Sequence, residues 1–195
     1  MLQFIIAALA GVAMTGWSPP AHADANLVLN GNFGTGDFTD WTVSDPTGIT
    51  IDTNPYLGDT PVDTYDASLG TEGTTGTLSQ LLGTTNGTAY TISFELADPG
   101  NPFVFPETLV VNFGAVAFAI DPTLLSSGYN LETFTDTATS AITDLVFTEE
   151  NDDEAFLLDD VSVTPQATTS VPEPSSTFLL LTGLAAFAVR RRRRL

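Results

Sequence analysis

Every lysine and arginine of this chain lies in its last six positions, as Arg190, Arg191, Arg192, Arg193 and Arg194 ahead of Leu195. The preceding polypeptide carries 24 Asp and Glu residues and a single histidine, His22. Whatever folds upstream of the arginines therefore has no cation with which to pair an acid. It must be held by apolar packing and hydrogen bonds, under a surface of one sign. No basic side chain is available to meet a phosphate, which excludes nucleic acid as a partner. The chain has no cysteine, and His22 stands near its start. Triads, Cys-His pairs, Schiff-base lysines and His-ligated zinc are thus out of reach of the central region. Carboxylates, hydroxyls and amides are the chemistry that remains, and glycoside hydrolysis runs on carboxylates alone.

The two ends differ in kind from the middle. At the C-terminus, Val171-Pro172-Glu173-Pro174 leads through Ser175 and Ser176 into an uncharged apolar run, Phe178 to Val189, and then the arginines. As a helix that run would be roughly 20 Å long against a hydrocarbon core of about 30 Å. The spacing predicts a short transmembrane helix with the arginines kept on the cytoplasmic side and the remainder of the chain outside. Pro172 and Pro174 separate it from what precedes. At the N-terminus, Phe4 to Val12 is apolar and Ala21-His22-Ala23 has the small-x-small pattern of a signal-peptide cleavage site, leaving Asp24 as the mature start. Met1-Leu2-Gln3 supplies no basic residue ahead of that apolar stretch. The expected organisation is a signal peptide at 1–23, one folded domain at 24–165, a linker at 166–170 and a sorting tail at 171–195.

The tail resembles the PEP-CTERM protein-sorting signal of Gram-negative bacteria. Pro172, Glu173 and Pro174 match its recognition element, and Arg190 to Arg194 its stop-transfer cluster. The resemblance implies export, recognition by a membrane-embedded exosortase, passage through the inner membrane, and a final place at the cell surface or in the extracellular matrix.

Between the ends, short β-rich segments alternate with Gly, Pro, Asn, Asp and Thr, and no sustained helical period appears. In Ala89 to Leu96, Tyr90, Ile92, Phe94 and Leu96 share one face while Thr91, Ser93 and Glu95 share the other. Asn86-Gly87 just ahead is a hairpin signal. Further strands are predicted at 27–29, 41–43, 49–52, 64–69, 76–82, 108–113, 115–120, 129–137, 141–148 and 156–163. This many strands in one domain predict an all-β fold, a two-sheet antiparallel jelly-roll sandwich.

A second resemblance rests on the ends of this domain. Asn26-Leu27-Val28-Leu29-Asn30-Gly31-Asn32-Phe33 followed by Gly36-Asp37-Phe38 and Trp41, with the closing Phe156-Leu157-Leu158-Asp159-Asp160-Val161-Ser162-Val163, is similar to galactose-binding-like jelly rolls and carbohydrate-binding modules. That resemblance implies a structural Ca²⁺ where first and last strands meet, with Asp160, Asp159 and Asn32 as ligand candidates. Gly34 stands where the family commonly has a glutamate. The run Glu149 to Glu154 lacks the spacing of an EF-hand loop and reads as a solvated acidic stretch. Tyr56, Phe103 and Phe105 lie in Pro/Gly-rich loops, where an aromatic surface for a sugar would sit. The expected function is that of a non-catalytic exported surface or matrix protein associated with exopolysaccharide. The alternatives are a carbohydrate-binding module with its own glycan ligand, and a carboxylate-dependent glycan hydrolase.

Overall fold

The alternation read at Ala89 to Leu96 governs nearly every strand of the domain. In this computed structural model, residues 25–45, 47–53, 65–100, 107–125, 128–151 and 154–166 are described. The strands are β1 Thr42–Val43, β2 Ile49–Asp52, β3 Asp66–Leu69, β4 Gly76–Gly83, β5 Ala89–Ala97, β6 Glu107–Phe113, β7 Val116–Ile120, β8 Asn130–Thr137, β9 Ile142–Asn151 and β10 Phe156–Pro165. One turn of 3₁₀-helix, Pro122–Leu124, is capped by the Asp121 carboxylate. Two five-stranded antiparallel sheets result. The front sheet has the order β2-β3-β10-β5-β8 and the back sheet β1-β4-β9-β6-β7. The sandwich is the expected one. The signal peptide at 1–23 and the C-terminal helix fall outside the described residues, among which no helix is long and apolar enough to cross a membrane.

The core lies where the apolar faces of the two sheets meet. Tyr90, Ile92, Phe94 and Leu96 of β5 face Leu145 and Phe147 of β9, all buried. Phe94 and Phe147 meet edge to face with ring centroids 5.3 Å apart, a favoured aromatic arrangement. Trp41, predicted as core, packs on Phe147 at 6.3 Å and on Phe33 at 5.7 Å. Near the far edges, Phe118 of β7 stacks on Phe134 of β8 at 4.8 Å, joining one sheet to the other. Truncating a ring such as Phe147 to alanine would cost about 3–5 kcal/mol.

Two departures from the sequence expectation carry physical reasons. Residues 27–29, expected as a strand, form no regular ladder. Their backbone does bond β10, with the Leu27 amide donating to Val163 O at 2.9 Å. The next bonds, however, use a side chain: Asn26 Oδ1 accepts from Val28 N at 3.0 Å and from Val163 N at 2.9 Å. An amide side chain has taken the place of a ladder carbonyl.

The second departure concerns the acidic run. β9 does not end at Thr148 but continues to Asn151, so its alternation carries Glu149 inward behind Leu145 and Phe147. Glu149 is 0% exposed. Its Oε2 accepts from the Thr71 amide at 3.1 Å, whereas neither its Oε1 nor the Thr71 hydroxyl has a partner in hydrogen-bonding geometry. Glycine at 76 makes the space: a Cβ there would lie 2.4 Å from both of those oxygens. Burial pushes the Glu149 carboxyl up, opposed in part by Thr71 and reinforced by the charges of Asp45 and Glu150.

A carboxyl raised on folding holds its proton to higher pH in the folded than in the unfolded chain. Its contribution is neutral below the ordinary value of 4.5, grows destabilising as pH rises above it, and levels off once the folded value is passed. Stability should therefore fall between pH 5 and pH 8, read as melting temperature at fixed ionic strength. Glu149→Gln should flatten that slope and raise the melting temperature at pH 8. Equal slopes in the two proteins would place the effect elsewhere.

Candidate functional site

The site is built where β10 changes neighbours. Up to Leu158, opposite Ala67, β10 pairs with β3. Beyond a register shift between Asp159 and Ser162, its side away from β5 is bonded by the N-terminal segment instead, with Val161 N donating to Gly31 O at 2.9 Å. Asp160 sits in the shift with φ of 47°, a left-handed conformation that Asp tolerates better than most residues. Asn30 and Phe33 of the N-terminal segment also have positive φ, 50° and 49°. For a buried phenylalanine that is uncommon. The backbone there is held by Phe33 N to Asn30 O at 3.2 Å and by Trp41 Nε1 to Asn30 O at 3.1 Å. The same segment is bound to the back sheet through Gln80, whose Oε1 accepts from Leu29 N at 2.8 Å and whose Nε2 donates to Leu29 O at 2.9 Å.

This junction opens a cleft of about 540 Å³ lined by Asn26, Asn30, Asn32, Asp160 and Ser162, among others. Of the residues expected to hold calcium, Asp160 and Asn32 thus share one cleft. Asp159 does not line it; its Oδ1 accepts from the Asp160 amide at 2.7 Å. Asn32 Oδ1 is engaged by Gly34 N at 3.2 Å, and Gly34 brings no carboxylate. Among the described residues no three His, Cys, Asp or Glu side chains gather as a metal-binding group. One carboxylate and one amide fall short of the six to eight oxygens that Ca²⁺ takes, so the cleft by itself does not fit the ion.

A second polar region was not legible in the sequence. On the outer face of the front sheet, Asp52 of β2 lies opposite Asp66 of β3, and Asp159 of β10 lies opposite Glu95 of β5. One rung beyond the Leu158–Ala67 pair, Asp66 and Asp159 fall side by side. Four carboxylates therefore cross the sheet in one row. Asp66 and Asp159 are each only 3% exposed. The Tyr129 hydroxyl donates to Asp66 Oδ2 at 2.6 Å, while Asp66 Oδ1 is buried and accepts no hydrogen bond. Burial pushes the Asp66 carboxyl up; the Tyr129 bond opposes this and the Asp52 charge adds to it. Burial pushes the Tyr129 phenol up as well, reinforced by its bond to Asp66 and by the charges of Asp66, Asp159 and Asp52. Glu95 is raised by burial and then by the Asp160 charge.

Farther along the same face, hydroxyls replace the carboxylates. Ser93 lies between Ser162 and Thr133, and Thr91 between Thr164 and Thr135. Period-2 alternation places each of these side chains outward, but only the register between strands sets them in rows. Tyr56, Phe103 and Phe105 lie outside the described residues, on the connections from β2 to β3 and from β5 to β6. The tail residues Pro172, Glu173, Pro174 and Arg190 to Arg194 also lie outside them.

Residues 170–194 match the PEP-CTERM protein-sorting motif. No curated protein matches the sequence. Among solved structures, the domain is similar to TmCBM61 in complex with beta-1,4-galactotriose, with TM-score 0.55 and 16% identity over 73% of this chain and 99% of that one. It is similar to a second module, described as family 16 carbohydrate-binding module-2, with TM-score 0.51 and 14% identity over 71% of this chain and 99% of that one. It also resembles the enzymatically active domain of bacteriophage CBA120 tailspike protein 4, with TM-score 0.55 and 13% identity over 72% of this chain. The match spans 21% of that tailspike chain. At these identities the likeness establishes the fold, a jelly roll of the carbohydrate-binding-module kind. The motif implies export and surface sorting.

The close approach at Gly31 holds the junction together. A Cβ on Gly31 would lie 2.2 Å from Val161 O and 3.1 Å from Val28 Cγ1. Gly31→Ala should therefore cost at least ~2 kcal/mol, because backbone rather than a flexible side chain must yield. Chemical denaturation measures this, and an unchanged midpoint would show that the N-terminal segment contributes little to the fold.

Proposed function

We propose that this chain is an exported, non-catalytic surface or matrix protein whose sandwich binds glycans of the exopolysaccharide. Its ligand surface would be the outer face of the front sheet, with Tyr56, Phe103 and Phe105 as the aromatic residues that the sequence offers to a sugar. The observation that carries this reading is the character of that face: two rows of Ser and Thr side chains, Ser162-Ser93-Thr133 and Thr164-Thr91-Thr135, and no basic residue anywhere in the domain. Hydroxyls and carboxylates meet sugar hydroxyls by directional hydrogen bonds, while aromatic rings in the loops would offer apolar faces to pyranose rings. The sorting motif supports the location, with exosortase and the export machinery as processing partners. The tail would engage the inner membrane until sorting is complete.

The hydrolase reading has weaker support. Glycoside cleavage needs one carboxyl to donate a proton and a second to act on the sugar from the opposite side. Asp66 and Asp159, in the middle of the carboxylate row, are both buried.

Two measurements test the proposal. Intact mass of the protein recovered from the host surface should correspond to a chain lacking residues 1–23 and altered at the sorting tail; an untrimmed chain in the cytosol would end the reading. On immobilised host exopolysaccharide, Tyr56→Ala with Phe103→Ala and Phe105→Ala should weaken binding at least about tenfold, ~1.4 kcal/mol, without release of reducing sugar. Undiminished binding by the triple variant would move the ligand surface elsewhere.

A further inference from the structure

An edge strand presents a row of unpaired amides and carbonyls to its surroundings. Proteins protect such an edge with short length, proline, a bulge or charges turned inward. The strands at sheet edges here are β1, β2, β7 and β8, and three of them are protected in this way. β1 is two residues long. β2 is short and ends in Asp52. β8 turns Glu132 and Asp136 to the inner face, opposite Phe94 and Tyr90 of β5. β7 is the exception. Its residues Val116-Ala117-Phe118-Ala119-Ile120 include no charge, proline or glycine, and they pair with β6 without a shift in register. Among the described residues β6 is its one neighbour in the sheet. Val116 is 48% exposed, and Ala117 and Ala119 are exposed on the outer face.

Two observations identify what covers this edge. The first is electrostatic. No lysine, arginine or histidine lies between residues 24 and 189, so two copies of the domain repel wherever their acids approach. From Thr108 to Ile120, through β6 and β7, there is no charged side chain, and along this edge two copies can meet. The second is symmetry within the strand. On either side of Phe118 comes an alanine and then a β-branched aliphatic residue, Val116 or Ile120. An antiparallel copy centred on Phe118 sets Phe118 opposite its own copy, Ala117 opposite Ala119 and Val116 opposite Ile120. Small meets small and branched meets branched, the self-complementarity that a two-fold interface requires. One step further, Asp121 falls opposite Ala115 rather than another acid. The two Asp121 side chains would then be roughly 20 Å apart at the rise of a strand, beyond the ~8 Å Debye length at physiological salt. Each Asp121 is also engaged within its own chain, accepting from Thr123 N at 3.1 Å and from Thr123 Oγ1 at 2.7 Å.

We propose that β7 is a homodimerisation edge: two copies of this chain pair antiparallel through it about a two-fold axis at Phe118, joining their back sheets into one continuous sheet. An edge of this length makes a small interface, so the dimer is weak and reversible. Opposed residues of an antiparallel pair point to the same face of the sheet. The axis therefore stands perpendicular to the sheet, and both front sheets lie on the same side of it with their outer faces turned the same way. With the glycan reading of that face, on which this consequence rests, the dimer is a bivalent binder whose two sites engage one polymer together.

Sedimentation velocity of the protein recovered from the host surface, over a concentration series at physiological ionic strength, should show reversible exchange between monomer and dimer. Ala117→Glu with Ala119→Glu sets like charges opposite each other and should weaken dimerisation at least about tenfold. Ala117→Lys with Ala119→Lys should do the same alone, whereas an equimolar mixture of the two variants should form a mixed dimer. The substituted alanines are exposed, and the melting temperature of each variant checks that it is folded. A monomer at every concentration, a dimer indifferent to the glutamate substitutions, or a mixture of folded variants that stays monomeric would each overturn the proposal. On immobilised host exopolysaccharide, the unsubstituted protein should dissociate at least about tenfold more slowly than the glutamate variant. Absence of all glycan binding would end the glycan reading and the bivalent consequence together, while sedimentation would still decide the dimer.

Discussion

The arrangement depends on one feature of the last strand: β10 has two successive neighbours on the same side. It bonds β3 as far as Leu158 and the N-terminal segment from Val161 onward. The exchange leaves a gap of one residue, and Asp160 fills it in a left-handed conformation. That single backbone irregularity sends two consecutive aspartates to different places. Asp159 stays in the sheet's outer row beside Asp66, whereas Asp160 turns into the cleft with Asn32. Gln80 keeps the segment in position from the opposite sheet through paired bonds to Leu29. The N-terminal segment thus joins the front and back sheets along one edge, as the Phe118–Phe134 stack does near the other.

The second governing constraint is electrostatic. In most domains a buried acid is answered by arginine or lysine. Here glycine, threonine and tyrosine stand in for the missing cations. Gly76 makes room for Glu149, the Thr71 amide bonds it, and the Tyr129 hydroxyl bonds Asp66. These neutral partners lower the cost of burial without cancelling the charge. The raised carboxyls of Glu149 and Asp66 are the consequence.

Much of the sandwich was legible from alternation. The Tyr90-Ile92-Phe94-Leu96 face and Trp41 lie in the core as their pattern predicts, and most strand limits match closely. The expectation failed where side chains do the work of backbone. Residues 27–29 read as a strand because they are apolar, yet Asn26 Oδ1 interrupts the ladder. Glu149 read as solvated because acids cluster around it. Its strand continues past that cluster, and a period-2 strand carries whatever residue falls on the inner face. Asp159, Asp160 and Asn32 were named as calcium-ligand candidates through the resemblance at the two ends of the domain, and the structure lines one cleft with Asp160 and Asn32 and leaves Asp159 outside it. Asp52, Asp66, Glu95 and Tyr129 were not named, because no spacing along the chain joins them.

The sequence alone carried the sorting motif in its tail, the alternation from which the strands are built, and the lack of any basic residue between 24 and 189 that could pair with an acid of the domain. Charge counts, terminal motifs and alternation are properties of neighbouring residues, so they survive without coordinates. Only the tertiary structure decided which acids stand side by side. Residues 66 and 159 meet because β3 and β10 pair in one register, and a shift of one residue would turn every outward side chain inward. Register is a relation between distant segments, fixed by the packing of both sheets at once, and nothing local to either aspartate specifies it.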